Sequence, residues 1–403
     1  MPDYDLTELQ ARAEHAARSG ESGDSQEARR IYSELVPAFE RTAGKDDPET
    51  LAVRGNLAMW TAESGDPRSA LRLIEDLLPD AARVYGDDAG ETLNIRNNLA
   101  VIVSQTADMG RALRLMEELQ PDSERVNGPD GKQVLALRQS IAVATGERGD
   151  ARTAAHLLSE LQPDYERIFG VKAGETLQLR KSLANWTGES GNAQAAAAML
   201  HELLPDAAST LGDEHPMTLT VRSYLASWTA ESENAEAALE IAQDLLPIRE
   251  HVLGPEHPHV LMDRLNIATW TSMVGNPDKA LEMLRELLPI RERVSGPDHP
   301  SALTIQGNIA SLIGSTGDPA AAAKLYEELL PRRERALGAE HPLALKDRLN
   351  IATQTAEAGD LDVALGLYKD LLPMLVRVHG PDHPDVRLAS DNAAIVKEWL
   401  DRS

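Results

Sequence analysis

Cysteine is absent from the 403-residue chain, which excludes a disulfide framework, thiolate zinc sites, iron–sulfur ligation and a cysteine nucleophile. Basic side chains are scarce, 40 Lys and Arg against 65 Asp and Glu, and the formal charge is −25. A surface with that balance does not supply the Lys and Arg clusters that nucleic-acid phosphates or anionic lipids reward. Aromatics are few, with two Phe, seven Tyr and five Trp, so large rings do not fill the core. No segment approaches the run of about 18 apolar residues that a membrane span needs, and the first residues lack a basic stretch followed by an apolar one. The expectation is a soluble cytoplasmic protein.

The patterns of common catalytic sites are missing as well. There is no complete phosphate-binding Gly-x-x-x-x-Gly-Lys-Ser/Thr, no His-Glu-x-x-His and no nucleophile elbow. Histidine occurs in five His-Pro pairs, at His215, His257, His299, His341 and His383. One histidine per 42 residues does not converge on a metal, whose ligands must all lie within about 2 Å of it. These histidines are expected in loops before proline-started helices. His156 and His201 are the one hint of titratable residues off the period. No catalytic residue, metal or cofactor is expected.

What is present is a repeat. Proline stands at Pro37, Pro79, Pro121, Pro163, Pro205, Pro247, Pro289, Pro331 and Pro373, each 42 residues after the last. Glycine keeps the same step from Gly44 to Gly380, and alanine keeps it in two columns, Ala58 to Ala394 and Ala70 to Ala364. A fixed period of this length marks an array of supersecondary units.

One unit, His257 to Gly296, shows how the residues build it. Pro258 suits a first helical turn. Leu261, Leu265, Ile267, Ala268 and Trp270 then recur at helical spacing until Gly275 ends the helix and Asn276 caps the next. The second helix carries Ala280, Leu281, Leu284, Leu287 and Leu288 and stops at Gly296. Each unit is therefore an antiparallel helix pair, with Ala268 facing Ala280. Asp or Asn holds the cap position in every unit, while Ala107 and Glu233 replace the turn glycine in two. The recurring proline falls inside the second helix, where it removes a hydrogen bond and clashes with the preceding turn; a kink or break is expected there.

The chain is thus expected to be all-α, one domain over 1–403. Its nine repeats run about 5–44, 45–86, 87–128, 129–170, 171–212, 213–254, 255–296, 297–338 and 339–380, followed by a capping helix over 384–401. Lys397, Glu398 and Asp401 give that last helix a polar side, as the end of an array requires.

Arg96-Asn97-Asn98-Leu99-Ala100 and Gly296-Pro297-Asp298-His299-Pro300 carry a resemblance to the tetratricopeptide repeat, more narrowly to its kinesin-light-chain-like form common in bacterial proteins. The resemblance covers residues 8–401. It implies a right-handed superhelical solenoid whose first helices line a concave groove that binds peptides or proteins. Trp-Thr at Trp60, Trp186, Trp228 and Trp270 departs from the family's Leu-Tyr, and these rings are read as core between neighbouring units.

Several columns could act in such a groove. Arg54, Arg96, Arg138, Arg180, Arg222, Arg264 and Arg348 share one first-helix column, and Asp76, Glu118, Glu160, Glu202, Asp244, Glu286 and Asp370 share one on the second helix. Guanidinium and carboxylate pair well, so a structural ion-pair ladder is expected, against the alternative of an arginine row for an acidic ligand. Asn56, Asn98, Asn266, Asn308, Asn350 and Asn392 lie two residues after the arginines. By the resemblance they face the groove, where an amide gives donor and acceptor to a peptide backbone; the alternative is that they orient the neighbouring helix. Thr269 and Ser311 follow one turn on. Lys181 and Tyr224 interrupt the groove columns, and Lys346 with Asn308 resembles part of a carboxylate-holding cluster known in the family.

The functional expectation is a non-catalytic scaffold that binds a protein or peptide segment, of basic rather than acidic character because glutamates such as Glu63 and Glu231 rim the groove. The alternative is a regulator that responds to a ligand or signalling peptide and acts through a partner.

Overall fold

The computed structural model describes residues 5–21, 24–106, 108–381 and 383–402. Among them are nineteen helices in chain order. They are α1 Leu6–Glu21, α2 Ser25–Thr42, α3 Pro48–Glu63, α4 Pro67–Tyr85, α5 Gly90–Gln105, α6 Met109–Asn127, α7 Lys132–Glu147, α8 Ala151–Ile168, α9 Gly174–Glu189 and α10 Ala193–Leu211. They continue with α11 Pro216–Glu231, α12 Ala235–Leu253, α13 Pro258–Met273, α14 Pro277–Ser295, α15 Pro300–Ser315, α16 Pro319–Leu337, α17 Pro342–Glu357, α18 Leu361–His379 and α19 Pro384–Arg402. The chain divides into two compact units, Met1–Leu211 and Gly212–Ser403. Within each unit every helix packs on the next, and first helices also touch the first helix of the following pair, as α3 does α5 and α15 does α17.

The two alanine columns explain the close pairing. Ala268 and Ala280 are both fully buried in one cluster with Leu261, Leu265, Leu284 and Leu287. The pair turns are fixed by backbone and cap. Asp66, Asp108, Asp150, Asn192, Asn234 and Asp318 each accept a hydrogen bond from the backbone N–H three residues on, which satisfies one orphan donor of the second helix. Asn276 and Asp360 hold the same position but, against expectation, make no side-chain cap bond. Glu233 holds φ at +68° where Gly275 and its equivalents stand at +86° to +110°. The turn conformation is thus imposed by the two helices even without glycine. Ala107 lies outside the described residues.

The expected break at the recurring proline does not occur. Helix α12 runs from Ala235 to Leu253 through Pro247, and α14 from Pro277 to Ser295 through Pro289. All nine prolines are exposed, as is the residue four before each. The carbonyl freed by the missing N–H therefore belongs to the side of the helix open to water, where solvent can take the place of the lost donor, so the helix continues at the cost of one bond.

Five first helices carry a cap that the sequence reading missed. His215, His257, His299, His341 and His383 precede Pro, and the ring Nδ1 of each accepts the backbone N–H two residues on at 3.1–3.2 Å. Asp47 does the same for α3. The final helix also differs from a polar cap. Lys397, Glu398 and Asp401 are exposed, but so are Leu388, Ile395 and Trp399, while Val386, Ala389 and Val396 of the same helix are buried against α17 and α18.

Candidate functional site

Three cavities repeat the same lining. One, of about 240 Å³, lies among α15, α16 and α17 and includes Asn308, Ser311, Tyr326, Arg333, Lys346 and Asn350. A second, of about 440 Å³, is lined by Glu14, Ala17, Tyr32, Phe39, Ala52 and Asn56. Those six residues sit seven periods earlier than the first six, position by position. A third cavity among α5, α6 and α7 keeps the register again, with Asn97, Ser123, Ala136 and Ser140 among its lining. The face between consecutive first helices is therefore one surface repeated along each unit. It brings Asn308, Asn350, Ser311 and Lys346 together, as the sequence pattern implied.

The asparagines on this face divide into two sets. Asn56 donates to the Tyr32 hydroxyl at 3.3 Å. Asn350 and Ser311 lie at the Tyr326 hydroxyl, which itself donates to the Gly307 carbonyl at 2.9 Å. Asn392 lies at the Tyr368 hydroxyl, 2.9 Å from Thr353 Oγ1. Burial pushes the Tyr326 phenol up to about 12, against the pull of Ser311 and Asn350. In each case the tyrosine comes 24 residues before the asparagine. At that spacing Asn98, Asn266 and Asn308 have Ile74, Ala242 and Leu284 instead. Among the described residues these three amides make no side-chain hydrogen bond within the chain. The three buried tyrosines were not singled out from sequence, although the 24-residue offset to asparagine was readable.

The other notable residues on this face are cationic. Lys346 reaches Asp385 at 3.5 Å. Lys181 is half-buried on α9, and burial pushes its ammonium below the usual lysine range. Tyr224, in the asparagine column, is half-buried on α11 and Thr269 is exposed on α13. Arg249 and Arg333 lie beneath the face in pairs with Asp263 and Asp347, at 2.7 and 2.5 Å. Burial pushes the Asp347 carboxyl up to about 6 despite Arg333.

The arginine column two residues before the asparagines is turned about 200° away on each first helix, by helix geometry. It does form ion pairs. Arg12, one period before Arg54, meets Glu34 of the expected second-helix column at 2.9 Å, but the later arginines take other acids than Asp76, Glu118, Glu160, Glu202, Asp244, Glu286 and Asp370. Arg54, Arg96 and Arg180 pair with Asp80, Asp122 and Asp206 at 2.7–2.8 Å. Arg138, Arg264 and Arg348 pair with Glu124, Glu250 and Glu334 of the preceding second helix at 2.5–2.8 Å. Arg222 takes Asp213 at 2.6 Å. The partners at Asp80, Asp122 and Asp206 lie one helical turn beyond the expected column, on the same helix face. Asp76 contributes only its backbone carbonyl, to Arg54 at 3.3 Å. Gln306, the exception in the column, bridges Glu292 and Arg332 at 2.8 Å each.

Of the tryptophans expected in the core only Trp270 is buried; Trp60, Trp186 and Trp228 are half-buried. Trp270 is buried with Ala230 and Ala238, and Trp60 and Trp186 pack on the clusters beside them. Ile102, Leu312 and Val396 are buried in the same column. His156 and His201 are exposed, and His156 meets only Glu160 at 3.6 Å. Among the described residues no group of three or more His, Asp or Glu is placed to hold a metal ion, and no helix is long and apolar enough to cross a membrane.

Residues 222–293, 264–335 and 301–375 match the tetratricopeptide repeat family, and residues 50–88 match a second description of the same repeat. No curated protein matches the sequence. Among solved structures the chain is similar to the apo form of the quorum sensor NprR from B. thuringiensis, with 11% identity, 92% of this chain and 99% of that one covered, and a TM-score of 0.63. It is also similar to the apo form of RapI, with 11% identity, 94% and 98% coverage and a TM-score of 0.61. The nearly identical TPR-like repeats of a kinesin light chain from Podosopora anserina are 24% identical over 50% of this chain and 95% of theirs, with a TM-score of 0.43. With the helix pairs, the alanine columns and the matched segments in agreement, the chain is a protein of tetratricopeptide repeats.

Proposed function

We propose that the protein is a non-catalytic interaction scaffold of the cytoplasm, and that the face between its first helices binds an extended peptide or protein segment. The observation that carries this reading is the set of amides without internal partners, Asn98, Asn266 and Asn308, on a face where the equivalent Asn56 is occupied by a tyrosine hydroxyl. The three amides are half-buried and their polar atoms are not cut off from solvent, so they are available to a peptide backbone, which supplies both an acceptor and a donor. Met262 and Leu343, exposed on α13 and α17, add apolar contact for side chains. The formal charge of −25 steers towards segments that are not themselves strongly acidic.

The test is peptide selection on the full chain, followed by binding to the Asn266→Ala, Asn308→Ala double variant. Each lost charge-neutral hydrogen-bond pair is worth about 0.5–1.5 kcal/mol, so affinity is expected to fall about tenfold or more, with Asn350→Ala having less effect. Equal binding by wild type and double variant would remove the site.

A further inference from the structure

One second-helix column carries arginine in three consecutive repeats, Arg249, Arg291 and Arg333, and all three side chains are buried at 3% exposure. Fourteen residues on, the next first helix carries Asp263, Ile305 and Asp347. The outer two arginines are paired. Arg249 Nη1 donates to both Asp263 oxygens at 2.7 and 2.8 Å, and Arg333 Nε to Asp347 at 2.5 Å. Each also donates to a carbonyl thirty residues earlier, Leu219 or Leu303. Arg291 has neither. Its Nε has no partner, and among the described residues its one hydrogen bond is a long one from Nη2 to the Pro258 carbonyl, 3.4 Å.

A guanidinium does not shed its proton at accessible pH, and a buried charge without a counterion costs several kcal/mol. In the flanking repeats the counterion is an aspartate from the following helix, and Ile305 leaves that place without a charge. The same one-period shift that relates the repeated cavities puts Arg291 beneath the stretch between Asn266 on α13 and Asn308 on α15, two amides of the groove column that make no side-chain hydrogen bond among the described residues. We propose that Arg291 is a binding residue for a carboxylate of the bound segment, an Asp or Glu side chain that enters between Asn266 and Asn308 and completes the pair that Asp263 and Asp347 complete internally. The inference rests on the peptide reading above and narrows it: the segment is not acidic as a whole but carries one acidic side chain in register with Arg291.

The experiment uses the full chain, with Ile305→Asp, which installs the internal counterion of the neighbouring repeats, and Arg291→Met, which removes the charge. Peptides from a hexapeptide library are compared with versions in which the acidic residue is replaced by its amide. On wild type the replacement is expected to weaken binding about tenfold or more; on Ile305→Asp and Arg291→Met it is expected to have no effect. In a second arm, thermal unfolding is followed in sodium acetate and sodium chloride at equal ionic strength. Acetate is expected to raise the midpoint of wild type above that in chloride, and not to do so for either variant. Peptides that bind with Asn266 and Asn308 dependence but tolerate the amide equally in all three proteins would overturn the role of Arg291 and leave the peptide site standing. If no peptide binds, the peptide reading fails and the acetate arm decides: a wild-type shift absent from both variants sustains the carboxylate site, and identical responses in all three overturn it.

Discussion

Arg249 Nη1 lies 2.8 and 2.7 Å from the two carboxylate oxygens of Asp263, and both side chains are only 4% exposed. Ser223 adds a bond to the same carboxylate at 3.4 Å, and the Leu219 carbonyl takes the other end of the guanidinium. Such a pair is a poor source of net stability compared with apolar residues of the same volume, but it is costly to break. Asp263→Ala is therefore expected to lower stability by about 3–5 kcal/mol, whereas the Arg249→Met, Asp263→Leu double variant stays within about 1–2 kcal/mol of wild type or above it. Urea unfolding of the two variants checks the contrast.

Two groups should give stability opposite dependences on pH. Burial raises Asp347 from 3.8 to about 6, so on acidification the folded chain takes up this proton before the unfolded one does. Its contribution is complete below 3.8 and is lost as pH rises through about 6. For His257, burial first and then the neighbouring His259 and Arg249 hold the ring below the ordinary 6.5. Its contribution is present above 6.5 and lost as pH falls, and protonation also removes the Nδ1 acceptor for the His259 N–H. Urea midpoints between pH 4 and pH 8 are expected to show a smaller acid-side gain in Asp347→Asn, because Asp263, also raised by burial, keeps its own share. They should lose the fall below 6.5 in His257→Asn, which keeps a cap without titrating.

The tryptophans impose their own requirement. A Cβ at Gly146 would stand 2.7 Å from the Trp186 indole, in contact with three of its atoms. Gly146→Ala must shift a large rigid ring and is expected to cost about 1–3 kcal/mol, with a red shift of tryptophan emission. Gly314→Ala meets the flexible end of Gln354 instead, which can rotate away, and its cost should be clearly smaller in the same unfolding assay.

Glu233 holds a left-handed conformation, φ +68°, that costs an L-residue with a Cβ about 1–2 kcal/mol. Glu233→Gly relieves that strain and restores the residue that other turns use, at the expense of greater freedom in the unfolded chain. A net gain of about 0.5–1 kcal/mol is expected from the shift in unfolding midpoint.

Much of the architecture was legible because the 42-residue period isolates each requirement in its own column. Fully conserved smallness at Ala268 and Ala280 reports close backbones, and Asp or Asn before the second helix reports a cap. The break expected at Pro247 did not follow, because the penalty depends on whether the freed carbonyl meets water, and that is decided by which side of the pair the proline faces. The partners of Arg54 and Arg138 were misplaced for a related reason. Positions 76 and 80 lie on one helix face, and a long arginine chooses between them, or reaches back to a preceding helix, by distances of a few ångströms that spacing does not encode. For the candidate site, the asparagine column was visible, but its division by Tyr32, Tyr326 and Tyr368 needed the second helix to be laid beside the first. The exception at Ile305 was readable in the sequence and gained meaning only once Arg291 was seen to be buried.

The contact between Trp186 and Gly146 crosses from one repeat to its neighbour, and the same holds for Trp60 and Gly20. Elsewhere in the first column Ala144 stands where those rings do, and in the second Ser104 stands where those glycines do. Loss of a 42-residue block ending at Gly146 would keep every helix and every turn in phase, yet it would seat Trp186 against Ser104. The repeats are therefore uniform in length but not interchangeable in content: each fits the neighbour it has, and the order of the array is written into the sizes of side chains at its seams.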